Sequence, residues 1–158
     1  MEQKLEAYRR KRNFLKTSEP SGKEEKAVGV KKRKIFAVQL HYARTTHFDF
    51  RLEWDGVLLS WAVPKGPSFN PKDKRLAVRV EEHPLDYADF EGVIPKGEYG
   101  GGTVLLWDKG YWTETEDFAR GLEKGSLKLR LDGKRLKGGW ALVRLNDKDK
   151  AEDEKENW

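Results

Sequence analysis

Three histidines occur in the 158-residue chain, and two of them bracket the stretch His41-Tyr-Ala-Arg-Thr-Thr-His47-Phe-Asp49-Phe-Arg51-Leu-Glu53-Trp54. From His47 onward polar and apolar residues alternate. On a β-strand, whose side chains repeat every two residues, His47, Asp49, Arg51 and Glu53 share one face, and Phe48, Phe50, Leu52 and Trp54 share the other. Two neutral imidazoles and a carboxylate make a mixed nitrogen and oxygen ligand set suited to a divalent transition metal. Arg51 beside them is a planar cation able to fork onto a pair of anionic oxygens. The chemistry this combination suggests is a metal site that receives a phosphate.

Alternating strands with one polar face are common in antiparallel sheets, so His-x-Asp-x-Arg taken alone more often marks a solvated surface. Two other segments shift that balance. In Ile35-Phe-Ala-Val-Gln-Leu-His41, Gln39 shares the parity of His41. In Arg75-Leu-Ala-Val-Arg-Val-Glu-Glu-His83, the same parity groups Arg75, Arg79, Glu81 and His83 against Leu76, Val78 and Val80. Every histidine thus lies on a strand face that also carries Arg, Glu, Asp or Gln, which predicts a shared polar concavity. His83 is suited to protonate a leaving alkoxide or to hydrogen-bond phosphoryl oxygens, with Glu81 holding its tautomer and Tyr87 as a neutral donor. The plain alternative for His83-Pro-Leu-Asp-Tyr87 is a capped turn with a packed tyrosine. Lys65, in the stiff Pro-Lys-Gly-Pro turn, is either a presented cation or a solvated one. The glycine-rich run 91–104 lacks the Gly-Lys-Ser/Thr end of a P-loop and reads as a tightly packed turn.

These residues need strands to hold them, and the segment from Lys34 to Leu145 is almost all strand and turn signal. Strands are expected at 35–41, 46–54, 57–63, 75–82, 102–107, 110–114, 126–131 and 139–145. Hairpin turns are expected at Asp55-Gly56, Asp108-Lys109-Gly110 and Asp132-Gly133. One helix is expected over Glu116–Lys124, with Thr115 as N-cap and Gly125 ending it. The pattern predicts a mainly β protein, a small antiparallel barrel or sandwich whose core includes Trp61, Trp107, Trp112 and Trp140. Before it, residues 1–34 form a charged helix and connector. There Leu5, Tyr8 and Phe14 make a narrow apolar stripe, Ser18-Glu-Pro-Ser-Gly22 breaks the helix, and Lys31-Lys-Arg-Lys34 is a solvated tail or a nucleic-acid contact. The barrel domain is expected over 35–145, followed by a charged tail over 146–158, disordered or loosely docked.

Composition excludes several classes. The absence of cysteine rules out a disulfide framework, a thiolate zinc site and a cysteine nucleophile. No apolar run approaches the ~20 residues of a membrane span, so a soluble cytoplasmic protein with no membrane partner is expected. The 32 Lys+Arg against 27 Asp+Glu give net +5, compatible with a polyanionic partner without requiring one.

Five ordered blocks resemble one family. They are His41-x5-His47-x-Asp49-Phe-Arg51-Leu-Glu53, Trp61-Ala-Val-Pro-Lys-Gly-Pro-Ser68, Val80-Glu-Glu-His-Pro-Leu-Asp-Tyr87, the glycine-rich Phe90–Gly102, and Gly139-Trp-Ala-Leu-Val-Arg144. Together they resemble the 3′-phosphoesterase domain of bacterial DNA ligase D and its stand-alone relatives, over roughly residues 8–145. The resemblance implies a small β-barrel with a polar crescent groove and a manganese-dependent hydrolase, with Co2+ or Zn2+ also bound in vitro. Such an enzyme heals 3′ ends of DNA or RNA–DNA primer-templates for non-homologous end joining, removing a 3′-phosphate and trimming a terminal ribonucleotide. A monomer working with a separate ligase and polymerase is expected.

By the family pattern His41, His47 and Asp49 hold the metal. Arg51, His83 and Tyr87 contact the phosphate, and Gln39, Lys65, Arg75 and Glu81 support the site. Ribonucleotide trimming maps onto Arg12, Asn13 and Glu19, where the family has aspartate at the position of Asn13. Asparagine keeps the carbonyl acceptor and loses the charge, so 3′-phosphate removal is expected and the trimming step stays open. Two rival readings remain. One is a two-His-one-carboxylate iron oxygenase built on His47, Asp49 and His83, and the other is a non-catalytic nucleic-acid-binding module.

Overall fold

The computed structural model describes residues 2–22, 33–145 and 155–158. Its strands are β1 (Lys34–Tyr42), β2 (Thr46–Trp54), β3 (Val57–Val63), β4 (Val78–His83), β5 (Gly92–Ile94), β6 (Gly102–Glu114), β7 (Ser126–Gly133) and β8 (Lys137–Val143). All pairings are antiparallel. The sheet runs β4-β3-β2-β1-β6-β7-β8, with β5 added alongside β6, and it curls into a half-barrel. A helix α1 (Glu6–Arg10) follows a short 3-10 turn, and α2 (Phe118–Lys124) lies between β6 and β7. The mainly antiparallel β architecture with two short helices is the expected one. None of the helices is long and apolar enough to cross a membrane, among the described residues.

The period-two pattern of β2 decides which face goes where. Phe36, Val38, Leu52, Leu59, Trp61, Trp112, Leu127, Leu129 and Leu131 are buried in one apolar cluster on one face, with Phe48, Phe50, Trp54, Trp107 and Trp140 packed against it. Each fully buried side chain of this kind stabilises by roughly 1.5–3 kcal/mol, so this cluster is the main source of the fold's stability. Asp55 and Gly56 take φ of 52° and 82°, the two left-handed positions that a two-residue hairpin between β2 and β3 requires. The opposite face carries a smaller cluster of Tyr8, Ala37, Leu58, Tyr87, Ala88, Phe90, Ile94 and Val104. Here the N-terminal segment and a 3-10 helix, Leu85–Asp89, cover the sheet. Gln39 and His41 of β1 and His47, Asp49 and Arg51 of β2 lie on this covered face.

Three expectations are corrected. The strands at 102–107 and 110–114 are one strand, β6, and Asp108-Lys109-Gly110 makes no hairpin. Val38 pairs with Asp108 while Gln39 pairs with Leu106, so Trp107 is an extra residue and the strand bends at a bulge. The Asp108 carboxylate instead accepts from the backbone N–H groups of Lys134, Arg135 and Leu136 at 2.9, 3.2 and 2.8 Å, capping the turn between β7 and β8. The strand expected at 75–82 is Val78–His83, and a register shift between Leu58 and Ser60 breaks its parity. Arg79 pairs with Trp61 and lies over its ring on the core side, separated from Glu81 and His83. Helix α2 starts at Phe118, because Asp117 rather than Thr115 accepts the capping hydrogen bond, from Arg120 N–H; Gly125 ends it as expected.

The charged tail is described only at its end. Residues 146–154 lie outside the described residues, as do 23–32 with Lys31 and Lys32. The described end is docked on the edge of the sheet: Asn157 bridges to Val78, Trp158 and Ala77 exchange backbone hydrogen bonds at 2.7 and 2.9 Å, and the buried Trp158 ring packs edge-on against Trp61.

Candidate metal and phosphate site

Pairing of β1 with β2 sets His41 opposite His47 and Gln39 opposite Asp49. One ligand atom from each of His41, His47 and Asp49 lies within 4.8 Å of the others. His41 Nδ1 is 3.5 Å from Asp49 Oδ2, and His47 Nε2 is 3.2 Å from Asp49 Oδ1. The outer nitrogen of each ring meets a backbone carbonyl: His41 Nε2 donates to Gly100 at 2.7 Å and His47 Nδ1 donates to Thr45 at 2.9 Å. A carbonyl only accepts, so these nitrogens carry the proton of the neutral ring. The other two, His41 Nδ1 and His47 Nε2, face Asp49: protonated they donate to its carboxylate, and a bound metal would take their lone pairs in place of those protons. Two lone pairs and a carboxylate converging on one point fit a divalent cation.

The electrostatics agree with that fit. Burial alone would raise the Asp49 carboxyl, but hydrogen bonds from His41 and His47 and the Arg51 charge outweigh it and hold the group well below the usual carboxylate range. The hydrogen bond that the His47 ring donates to Asp49, opposed by burial, raises His47 above its ordinary 6.5.

Arg51 is buried on the next same-face position of β2. Its Nε donates to Gln39 Oε1 at 2.7 Å, its Nη1 to Ser60 Oγ at 2.9 Å, and its Nη2 faces Asp49 Oδ2 at 3.6 Å. The Tyr87 ring lies 4.7 Å from the guanidinium carbon. Gln39 is fully buried and also donates to the Tyr87 and Phe90 carbonyls at 2.7 and 2.9 Å, tying the 3-10 helix to the sheet. A buried guanidinium is tolerated when its donors are satisfied, and here Gln39 and Ser60 satisfy it while orienting it.

The N-terminal segment closes the far side. Arg12 Nε pairs with Glu19 at 2.9 Å and Nη1 with Glu81 at 3.1 Å, while Nη2 lies 3.3 Å from His83 Nε2. Thr17 and Tyr87 hydroxyls donate to Glu19 at 3.0 and 2.6 Å. Burial pushes the Tyr87 phenol up, with Arg51 opposing and Glu19 reinforcing, so it keeps its proton. Burial, then the Arg51 and Arg12 charges, push His83 well below 6.5. Its Nδ1 donates to the Glu81 backbone carbonyl at 2.9 Å. Glu81 therefore fixes the His83 tautomer through its main chain, and its carboxylate binds Lys11 and Arg12 instead.

The structure thus brings together His41, His47, Asp49, Arg51, Gln39, His83, Tyr87, Glu81, Arg12 and Glu19. Three expected residues stand apart. Arg75 precedes β4, exposed and paired with Asp73. Lys65 is exposed in the turn after β3, with no hydrogen bond or ion pair among the described residues. Asn13 is exposed, and its Oδ1 accepts from the Leu15 N–H at 3.0 Å within its own turn. The set His47, Asp49 and His83 is not assembled, since the third ligand of the cluster is His41. Sequence reasoning missed Ser60 and the carbonyls of Thr45 and Gly100; the glycine-rich run was the one visible signal for the last.

Fold and site define a β-half-barrel protein in which a His-His-Asp cluster able to hold a metal ion lies beside a buried arginine. The chain matches the family described as the DNA ligase D 3′-phosphoesterase domain over residues 39–144, and it belongs to that family. It is 55% identical to the multifunctional non-homologous end joining protein LigD of Pseudomonas aeruginosa, over 90% of this chain and 17% of that protein. It is 46% identical to the multifunctional non-homologous end joining DNA repair protein LigD of Mycobacterium tuberculosis, over 90% of this chain and 18% of the relative. With LigD of Mycolicibacterium smegmatis the identity is 42% over 92% of this chain and 20% of the relative. The chain therefore spans a fifth or less of these relatives' length.

Proposed function

We propose that the chain is a metal-dependent phosphoesterase that removes the 3′-phosphate from DNA primer-template ends during non-homologous end joining. The observation that carries this reading is the convergence of His41 Nδ1, His47 Nε2 and the Asp49 carboxylate next to Arg51 Nη2. These three residues would hold the ion, manganese by the family resemblance. When bound, it supplies Lewis-acid polarisation of a phosphoryl oxygen.

The chain's own residues supply the rest. Arg51, locked by Gln39 and Ser60, offers positive charge to the equatorial phosphoryl oxygens without reorganising. Arg12 is the second cation, held between Glu19 and Glu81. Tyr87 reaches the site through Glu19, which it positions with its hydroxyl. His83, neutral and accepting from Arg12, orients that guanidinium, so the proton for the leaving alkoxide comes from water.

Purified protein incubated with and without Mn2+ on labelled primer-templates tests the reading, using ends that carry a 3′-phosphate or one ribonucleotide. Metal-dependent phosphate release is expected, and it disappears in Asp49→Ala. Binding without any product from folded protein, whether Mn2+, Co2+ or Zn2+ is supplied, leaves only a nucleic-acid-binding module.

A further inference from the structure

Ala37 on β1 pairs with Arg51 on β2 and with Lys109 on β6, so the face that bears Arg51 continues across the sheet. Two residues on from Lys109 comes Tyr111, then Thr113. Their partners on β7 are Asp132 and Arg130, and Lys137 on β8 lies opposite Asp132. Arg33, Tyr111, Thr113, Arg130, Asp132 and Lys137 line a hollow of about 340 Å³. The Arg33 guanidinium lies 4.2 Å from the Tyr111 ring centre and 3.4 Å from the Asp132 carboxylate. Arg130 and Lys137 are exposed and have no ionic partner among the described residues. Arg33 belongs to the basic sequence run Lys31-Lys32-Arg33-Lys34.

We propose that this hollow is a second nucleic-acid contact, where the phosphate backbone of the duplex behind the 3′ end docks. The inference rests on the phosphoesterase reading for the direction of the duplex. Three cations against one carboxylate give the hollow an anion preference, and two of those cations are not engaged. Tyr111, 42% exposed, adds a flat ring to an otherwise polar floor. A sugar-phosphate chain matches that mixture of charge and flat apolar surface. Arg130 on β7 and Lys137 on β8 lie three and four strands from β2, roughly 15–20 Å at ~4.8 Å per strand. That span is about five nucleotide steps at ~3.4 Å each.

The test is fluorescence anisotropy on hairpin-closed primer-templates with duplexes of about 4 and about 12 base pairs, comparing wild type with the double variant Arg130→Glu, Lys137→Glu. Both positions are exposed on strands, and an unchanged melting temperature checks the fold. For the longer duplex, Kd rises by about tenfold or more, and the slope of log K against log salt becomes shallower by about 2, one for each lost phosphate contact. The short duplex binds both proteins alike, and turnover at saturation is unchanged. Equal Kd and equal slope on the longer duplex overturn the proposal, as they would if this face served a protein partner. Binding is read without turnover, so the two readings fail separately. A changed slope with no phosphate release by the wild type removes only the phosphoesterase reading, and phosphate release with an unchanged slope removes only the hollow.

Discussion

The Gly100 carbonyl accepts the Nε2 proton of His41 at 2.7 Å, and that single contact decides which nitrogen His41 offers to a metal. Gly100 sits at φ 73°, a left-handed position that a side chain occupies at a cost of about 1–2 kcal/mol. A Cβ there would lie 3.5 Å from His41 Cε1, an ordinary contact, so a substitution acts through the backbone rather than by a clash. Gly100→Val is expected to move the carbonyl and weaken Mn2+ binding by about 10–100-fold. Calorimetric titration of the metal reads this directly, and wild-type affinity in the variant would show that the carbonyl does not set the tautomer.

Arg51→Lys keeps the charge and loses the fork. Gln39 Oε1 and Ser60 Oγ are both satisfied by separate guanidinium nitrogens, and one ammonium cannot reach both. Leaving a buried partner unsatisfied costs about 1–3 kcal/mol. A loss of unfolding free energy of that size, read from urea denaturation, is expected, together with a loss of about 100-fold or more in kcat/KM for 3′-phosphate release. Wild-type kinetics in the variant would show that charge alone suffices.

Much of this site was legible because β2 obeys a strict two-residue period. His47, Asp49 and Arg51 had to share a face once Phe48, Phe50 and Leu52 were buried. Where a bulge intervenes the same logic fails. The extra residue in β4 turned Arg79 toward Trp61, and Trp107 converted an expected hairpin at Asp108 into a bend. Main-chain groups carry no residue-type signal, which hid the Thr45, Gly100 and Glu81 carbonyls that fix three histidine tautomers. Long-range pairing hid the rest: Arg12 meets Glu81 69 residues away, and nothing in the spacing of either announces it.

His83 makes stability depend on pH. Its folded-state pKa lies well below the ordinary 6.5, because the ring is buried and faces Arg51 and Arg12. Above 6.5 neither state takes up the proton and the residue contributes no pH dependence. As pH falls below 6.5 the unfolded chain binds a proton that the folded protein refuses, so stability drops by about 1.4 kcal/mol per pH unit until the folded value is reached. Comparing urea denaturation of wild type and His83→Gln between pH 7.5 and 5.5 isolates this contribution from the carboxylates. The variant should show the flatter profile, and parallel profiles would mean that His83 charges as easily folded as unfolded.

Arg12 and Asn13 are adjacent in sequence and differ in what they touch. Arg12 links Glu19, Glu81 and His83 beneath the N-terminal segment, whereas Asn13 only closes its own turn at the surface. Aspartate at position 13 can accept the same Leu15 N–H, so Asn13→Asp should leave 3′-phosphate release within about twofold of wild type, as is usual for exposed positions. Arg12→Ala removes the cation shared by two buried carboxylates, and destabilisation of about 3 kcal/mol or more is expected from the unpaired charges. Arg12→Lys should recover much of the stability but little of the turnover, since an ammonium cannot span Glu19, Glu81 and His83 together. Measured side by side on phosphate-ended and ribonucleotide-ended primers, the three variants separate charge from geometry. Equal turnover in Arg12→Lys and wild type would reduce Arg12 to a counter-ion and end its assignment as the second cation that organises the site.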